Sequence, residues 1–508
     1  MRRFDPAALG VFLILMGSYA YCWHTRDWNV SSRLMLAYSI VDRGTVEITG
    51  LHQHTLDLAR YQGRYYSDKL PGYPLLAAVP YAIVRAVFGF PAHPLNVRAE
   101  DYVYWPADYW VTLATSGLLS AATAVLLVRL ARDLGCRPVV AAMVGLAYGL
   151  STPAYVYATL AYGHQAAAFA LFASFLLIGK RSSGFGWAMA RLWAAGFLAA
   201  YASVIELQVG PVSAILGFYL LAEVIGRRQL PAGLLAFAVG AIVPTLALLG
   251  YNILAFGSPW DLGYFHHVTF AYVHTRTNPL GLRDPHWWEF RMLLVSRYRG
   301  LFYFAPILIL ALPGWIVLAI RKRWAMLFVS FLVCAAVMLV NLSYPEWTGG
   351  WSTGPRLLVP LIPFAMIPVA GLLAGRGRWA TTFAVLAAGL ALAGGVEMFL
   401  FQGAGGRIPH EVRGYPLDHP LRYAVWPLWA GGESPYVEGF ERNLVSIAFP
   451  RWVAGLPPRA RFVQWLPLAL AQVASIGLLW KILAGGREPA VPSPLPGEGL
   501  TRPGSVGL

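Results

Sequence analysis

One acid and one base stand side by side in a short polar stretch, Tyr65-Tyr66-Ser67-Asp68-Lys69-Leu70-Pro71-Gly72. A lysine ammonium group in such a stretch can hold a phosphate, and Asp68 and Tyr66 are candidates to line the same place. One alternative is an interfacial loop whose Lys69 only reaches lipid headgroups. Another is a surface ion pair that contributes little. The local pattern therefore predicts a phosphate site and leaves these two alternatives open.

A second stretch combines glycine, tryptophan and arginine: Glu346-Trp347-Thr348-Gly349-Gly350-Trp351-Ser352-Thr353-Gly354-Pro355-Arg356. Glycines let the backbone approach a ligand, Trp351 offers a flat face for a sugar, and Arg356 offers a fork for phosphate. The alternative is an aromatic belt with an interfacial arginine. The density of Gly and Trp favours substrate binding, with Glu346, Trp351 and Arg356 as candidates.

Two acids are candidates to accept a proton, Asp27 and Asp57. The alternative for Asp27 is a helix cap. Asp57 ends the run His52-Gln53-His54-Thr55-Leu56-Asp57, which is expected to be a solvated loop. The His-x-His pair in this run is an incomplete metal site, so no metal is assigned.

Two more polar residues lie beside predicted spans. His164 ends the turn Ala161-Tyr162-Gly163-His164, where a lone histidine is a candidate ligand or a hydrogen-bonded structural group. Glu206 lies near the outer end of an apolar segment. An acid in that position is a functional candidate or the partner of an arginine. Both are predicted to bind substrate.

Composition decides the class of protein. The 508 residues are 57% hydrophobic and only 12% charged, about half the charged fraction of a soluble protein. We therefore predict an all-α polytopic membrane protein. The net charge of +15 is typical of cytoplasmic-loop Lys and Arg and of attraction to anionic lipid or a phosphorylated substrate, not of nucleic acid. The sequence shows no nucleotide-binding motif and no cysteine framework.

About twelve runs of roughly 20 apolar residues predict spanning helices. They cover residues 7–23, 109–130, 139–157, 165–178, 191–205, 211–225, 230–251, 301–320, 324–342, 357–374, 380–401 and 465–483. The stretches 31–43 and 73–90 are predicted to be interfacial helices, because basic clusters beside the helix ends then all fall on one side. That side is the cytoplasm by the positive-inside rule.

This topology places both termini in the cytoplasm and leaves three large segments outside the cell membrane: 24–106, 252–300 and 402–464. We therefore predict a transmembrane core over residues 1–400, an extracytoplasmic segment over 401–464, a last transmembrane helix over 465–484 and a disordered cytoplasmic tail over 485–508.

The layout and motifs resemble the GT-C superfamily of integral membrane glycosyltransferases. An opening span, a long outer segment with an amphipathic helix, the Asp68-Lys69 stretch and a span ending in Arg-Leu-Ala-Arg-Asp-Leu-Gly carry the resemblance. The resemblance covers roughly residues 1–400. Within the superfamily, the sequence most resembles bacterial relatives of protein O-mannosyltransferases and of the lipid A aminoarabinose transferase. There, a Lys-Pro-Pro type motif contacts the phosphate of a polyprenyl-phosphate sugar. Lys69 matches its lysine, with Leu70 in place of the first proline, and the Trp-Gly-Gly-Trp…Gly-Pro-Arg pattern is similar as well.

One position departs from these families. They place an acid just after the first span, with an arginine and a glycine at fixed distances beyond it. Counting back from Gly44, taken as that glycine, puts Asn29 in the place of the acid. Asparagine cannot be a general base. The resemblance therefore leaves Asp27, two residues earlier, or Asp57 as the base.

The resemblance implies transfer of a sugar from a polyprenyl-phosphate carrier to a lipid, polysaccharide or protein acceptor. The active site would be extracytoplasmic, in a multi-pass protein of the cell (inner or plasma) membrane. Alternatives are a transporter or flippase of lipid-linked sugars, or a polysaccharide polymerase or ligase. No repeat divides the chain into halves, which weakens the transporter alternative. No cofactor follows from the sequence, and a divalent metal stays open. The expected partners are the carrier, the acceptor and membrane lipids, with no nucleic acid.

Overall fold

The computed structural model describes residues 5–24, 26–97, 105–180, 184–226, 231–270, 273–375, 377–412 and 415–485. The tail that was predicted to be disordered lies outside these ranges from residue 486 onward. The first half of the chain forms α1 (Pro6–Ala20), α2 (Trp28–Arg43), α3 (Gly72–Phe88), α4 (Pro106–Thr112), α5 (Leu118–Asp133), α6 (Pro138–Leu150), α7 (Ala154–Ala158), α8 (His164–Gly179), α9 (Phe185–Ile205), α10 (Gly210–Gly226) and α11 (Ala232–Phe256).

The second half forms α12 (Trp287–Val295), α13 (Leu301–Phe304), α14 (Ala311–Ile320), α15 (Trp324–Leu342), α16 (Ile362–Leu373), α17 (Arg378–Ala404), α18 (Trp426–Trp429), α19 (Leu444–Ala448), α20 (Pro450–Gly455) and α21 (Leu466–Gly485). A π-helical turn joins α4 to α5, and 3₁₀ segments precede α14, α16 and α21. In the described part of the chain, every residue of α16 is buried, so this helix lies at the centre of the bundle.

Eight helical segments in the described ranges are long and apolar enough to cross a membrane. The predicted first, third, fourth and eighth spans correspond instead to shorter apolar helices. The third and eighth are interrupted just before Pro153 and Pro306, since a residue that precedes proline avoids the helical conformation. The protein is a helical polytopic membrane protein, as the sequence predicted.

The helix predicted at 31–43 forms as α2, but its predicted place as a helix lying on the lipid surface is wrong. Ten consecutive residues, 30–39, are buried in the protein, so neither face of this stretch is free for lipid. Because its apolar side chains have helical spacing beside polar ones, the sequence could not distinguish burial against protein from burial in a membrane interface.

Short strands add a feature that the all-α prediction lacked. Strand β1 (Cys22–Trp23) pairs with β6 (Arg442–Asn443), β2 (Leu58–Tyr61) with β3 (Arg64–Ser67), and β4 (Glu411–Val412) with β5 (Tyr415–Pro416), all antiparallel. The β2–β3 hairpin turns at Gln62 and Gly63, with φ of 48° and 78°. Two positive φ values suit the right-handed strand twist. The residues before Asp68 therefore form a strand and not the interfacial loop of the first alternative.

The bundle has two chemically different ends. At one end, Arg321 donates to the carbonyls of Gly371 and Ala374, and Gly375 donates to the carbonyl of Gly135. This end carries basic loops. The opposite end holds the first turn of α2, the start of α8, the end of α9 and the segment that leads into α16, and most of the polar candidates meet there.

Candidate functional site

Lys69 is buried between two carboxylates. Its Nζ lies 2.6 Å from Asp68 Oδ2 and 3.0 Å from Asp57 Oδ2, and its side chain is 15% exposed. Burial lowers the pKa of Lys69, but Asp57 and Asp68 outweigh this and hold the pKa above its ordinary value. The amine is therefore a fixed cation. The pair is a buried cluster and not a surface ion pair, and Asp57 is not in a solvated loop as was predicted.

Asp68 is the best-held group of the cluster. Its Oδ1 accepts a hydrogen bond from Ser32 Oγ at 2.9 Å, and His267 Nε2 lies 3.3 Å from Oδ2. Burial raises the pKa of Asp68, but Lys69 and His267 lower it by a larger amount. The pKa of Asp68 therefore lies well below its ordinary value. Helix α2, strand β3 and the segment after α11 thus fix one carboxylate in one geometry.

The Pro-Gly that follows Lys69 docks the motif on the end of α9. A Cβ on Gly72 would lie 2.5 Å from the carbonyl oxygen of Val204, so only glycine permits this approach. Tyr201 donates to the carbonyl of Gly72 at 2.8 Å. This close packing sets the distance between Lys69 and Glu206, the residue that follows α9.

Glu206 forms a second buried ion pair. Arg33 Nη2, from α2, lies 2.6 Å from Glu206 Oε1, and the two side chains are 3% and 9% exposed. Burial raises the pKa of Glu206, but the charges of Arg33, His164, Lys69 and Arg356 together hold it below the ordinary value. The Glu206 carboxylate is therefore influenced by the positive charges of Arg33, Lys69 and Arg356. Of the two alternatives for Glu206, pairing with an arginine is observed.

His164 is buried beside this pair. Its Nδ1 lies 3.5 Å from Glu206 Oε1, and neither ring nitrogen has a hydrogen-bond partner among the described residues. The ring stacks on Tyr162 with centroids 5.6 Å apart. A buried polar group without a partner is costly. The imidazole of His164 therefore keeps unused hydrogen-bonding capacity beside Glu206.

Asp27 and Arg356 meet at Tyr162. The phenol of Tyr162 donates to Asp27 Oδ2, and the Arg356 guanidinium lies 5.2 Å from the centre of the same ring. Asp27 Oδ1 accepts from the backbone N–H of Val30 at 2.7 Å, so Asp27 also caps α2. Arg356 Nε is buried and has no hydrogen-bond partner in the described ranges.

The Gly-rich loop is shaped to present Arg356. Gly349 has φ +74°, and a Cβ there would lie 2.8 Å from Arg356 Cγ. The fully buried Arg299 holds the loop by donating to the carbonyls of Thr348 and Gly350, both at 3.1 Å. Gly349 thus leaves room for the side chain of Arg356, and Arg299 holds the loop in place.

Three ligand atoms could hold a metal ion. Asp57, Asp68 and His267 each offer one atom, and these atoms lie within 4.8 Å of one another. Lys69 Nζ already contacts both carboxylates. A divalent cation would therefore compete with the ammonium group for the same oxygens.

The remaining candidates lie apart from this cluster. Tyr66 packs on Phe256, with ring centroids 5.2 Å apart. Trp351 is 58% exposed. Glu346 is in the turn of the Gly-rich loop, where its carbonyl accepts from Gly349 at 2.9 Å. Asn29 accepts a hydrogen bond from Arg33 and so supports the Arg33–Glu206 pair.

The sequence candidates lacked four residues of the site: Arg33, Tyr162, His267 and Arg299. His267 and Arg299 lie in stretches without a recognisable motif, and Tyr162 lies in the turn that was examined only for His164. A sequence signal existed for Arg33, since an arginine on a buried helix needs an acid partner. No comparable signal marked His267, because His267 is far from Asp68 in the sequence and contacts it only in the folded protein.

No family model matches the sequence, and no curated protein matches it. Among solved structures, the chain is similar to ArnT from Cupriavidus metallidurans bound to undecaprenyl phosphate, with 14% identity and a TM-score of 0.47, covering 94% of this chain and 77% of ArnT. It is also similar to the oligosaccharyltransferase AglB from Archaeoglobus fulgidus in complex with an inhibitory peptide and a dolichol-phosphate, with 11% identity and a TM-score of 0.42, covering 78% of this chain and 56% of AglB. At 14% and 11% identity, the likeness concerns overall architecture alone.

Proposed function

We propose that the protein is a GT-C type glycosyltransferase that moves a sugar from a polyprenyl-phosphate carrier to an acceptor hydroxyl on the extracytoplasmic face of the cell membrane. One observation carries the proposal. Arg33 is paired with Glu206 at one end of the bundle, and the charges of Lys69 and Arg356, from two other segments, also lower the pKa of Glu206. Among the described residues, Arg356 and His164 keep buried nitrogens without hydrogen-bond partners.

The charges suit a phosphate diester. Lys69 is paired with two carboxylates, Asp57 and Asp68, and Arg33 with one, Glu206. Arg356 has no carboxylate partner among the described residues. A guanidinium without a carboxylate partner can pair with the single negative charge of a sugar-phosphate-lipid diester, and Lys69 can share the second charge that develops as the sugar leaves.

Asp27 is the better placed of the two candidate bases. Asp57 Oδ2 is occupied by Lys69 at 3.0 Å. Asp27 receives its hydrogen bonds from neutral donors, the Val30 N–H and the Tyr162 phenol. The lone pairs that remain on Asp27 can accept the proton of an acceptor hydroxyl while Lys69 and Arg356 hold the leaving phosphate. The Asp57, Asp68 and His267 group could hold a divalent cation in addition, if the Lys69 ammonium moves.

The experiment separates transfer from transport. The purified protein in lipid vesicles is given an undecaprenyl-phosphate sugar together with membrane extract as a source of acceptor. Transfer releases free undecaprenyl phosphate, which mass spectrometry detects, and the Asp27→Asn protein releases far less. Movement of intact carrier across the vesicle without release of undecaprenyl phosphate would identify a flippase and contradict the proposal.

A further inference from the structure

A small cavity lies beside the segment that carries Asp27, with Arg26 and Val30 in its lining. It opens between the end of α1, the start of α2, α4 and the turn before α8, and its volume is about 20 Å³. That volume holds one or two water-sized groups. It therefore suits a hydroxyl or hydroxymethyl arm of a larger molecule and not a whole sugar ring.

One buried side chain has an unused hydrogen-bonding atom at this cavity. His24 lines it, is 8% exposed, and its Nδ1 has no partner among the described residues. The side-chain amide nitrogen of Gln402 lies 3.1 Å from His24 Nε2. In this orientation the amide N–H donates to Nε2, so the ring proton is on Nδ1 and seeks an acceptor oxygen. Burial lowers the pKa of His24 below its ordinary value of 6.5, so the ring is neutral near pH 7.

The charge of the cavity wall selects a neutral ligand. Among the described residues that line it, the one cation, Arg26, is buried in an ion pair with Asp108 and contacts His93 Nε2 at 3.2 Å. The described wall therefore offers no unpaired positive charge for a phosphate. Thr112, Thr159 and aromatic residues complete the described lining, and such a mixture of small polar residues and flat faces suits a sugar or polyol.

Two residues that line the cavity lead to Asp27. Val30 lines the cavity, and its N–H donates to Asp27 Oδ1. Ala161 also lines it and directly precedes Tyr162, which donates to Asp27 Oδ2. A group bound in the cavity is thus one residue layer from the carboxylate.

We infer that this cavity is the acceptor subsite and that it takes a neutral hydroxyl-bearing arm of a sugar or polyol, held by His24. The inference rests on the proposed function, in which Asp27 serves as the base. Donor and acceptor then meet at Asp27, with the phosphate held by Lys69 and Arg356 and the acceptor arm held by His24.

A panel of methyl glycosides tests the cavity by saturation-transfer NMR on the full chain in nanodiscs. Thr112→Leu fills the cavity, and His24→Phe keeps the ring but removes its nitrogens. Ala114→Leu is the matched control, because it adds a comparable side chain at an exposed position two residues along the same helical segment. We expect binding by the wild type and the control, loss in Thr112→Leu, and about two- to tenfold weaker binding in His24→Phe.

Undecaprenyl phosphate binding, measured on the same samples, reports the donor site separately and is expected to stay unchanged in all three variants. Equal glycoside signals in the wild type, Thr112→Leu and His24→Phe would overturn the inference, as would the absence of any signal from the wild type. If Thr112→Leu also loses carrier binding, its fold is damaged, and His24→Phe decides alone. Failure of the wild type to bind undecaprenyl phosphate would instead contradict the proposed function.

Discussion

The guanidinium of Arg33 on α2 lies 2.6 Å from the carboxylate of Glu206, 173 residues later in the chain. The contact ties α2 to the end of α9, and both side chains are almost fully buried. Removing one partner leaves the other as a buried, unpaired charge. The pair therefore does more for the integrity of the site than its single hydrogen bond would suggest.

Arg33→Met is expected to lower the free energy of unfolding by about 3–5 kcal/mol, because Glu206 is then left unpaired. Thermal unfolding in detergent measures the change. The matched control is Arg64→Met, whose pair with Glu47 spans 3.6 Å and whose side chain is 67% exposed. Its expected cost is below about 1 kcal/mol. Equal losses in the two variants would show that the buried pair has no special weight.

Asp27→Asn is expected to reduce turnover about 10²–10⁴-fold and to leave carrier affinity nearly unchanged, because the base acts on the acceptor hydroxyl. Asp57→Asn should reduce turnover less, since Asp57 is engaged with Lys69 at 3.0 Å. Single-turnover assays with a fixed carrier concentration measure both. The reverse order would transfer the role to Asp57, and full activity in the double variant would exclude both acids.

The Lys69–Asp68 pair should stabilise the protein by a constant amount between about pH 5 and 9. The pKa of Asp68 is depressed from 3.8, so its contribution is present above that value and is lost on acidification. The pKa of Lys69 is raised above 10.5, so its contribution is present below that value and is lost only at higher pH. The difference in Tm between the wild type and Lys69→Met measures this. A difference that falls between about pH 6 and 8 would contradict the assignment.

The site end of the bundle is expected to face out of the cell. Gln62 is exposed at the tip of the β2–β3 hairpin, and Lys322 is exposed between α14 and α15 at the basic end. A membrane-impermeant thiol reagent should label Gln62→Cys in intact cells and Lys322→Cys only after permeabilisation. The opposite pattern would invert the topology. Ser67 is fully buried and accordingly a poor probe, and Ser182 lies outside the described residues.

Much of this fold could be predicted from the sequence, because runs of apolar residues determine spanning helices directly. The bounds of α15 coincide with the predicted 324–342. Prolines broke two predicted spans, and the α2 pattern did not distinguish protein from lipid as the apolar neighbour. The β2–β3 hairpin was missed because its four-residue strands are too short for a period to be recognised.

Part of the site could be predicted, from motifs for two residues and from polar residues beside predicted spans for His164 and Glu206. Lys69 and Arg356 stand in such motifs, and the structure brings both into the field of Glu206. His267 and Tyr162 could not be found, since each acquires its partner across more than a hundred residues of chain. Asp57 was assigned to a solvated loop because its neighbours in sequence are polar. The sequence does not show that the β2–β3 hairpin brings Lys69 into contact with it.

The most direct test of the central claim is the affinity for undecaprenyl phosphate of the wild type, Lys69→Ala and Arg356→Ala, measured on purified protein by native mass spectrometry. Charge-assisted contacts in a partly dry site are worth about 1.5–3 kcal/mol, so each variant should bind roughly ten- to a hundredfold more weakly. The control Arg60→Ala removes an exposed arginine from the same outer segment and should bind like the wild type. Wild-type affinity in both Lys69→Ala and Arg356→Ala would show that these residues do not hold the carrier phosphate.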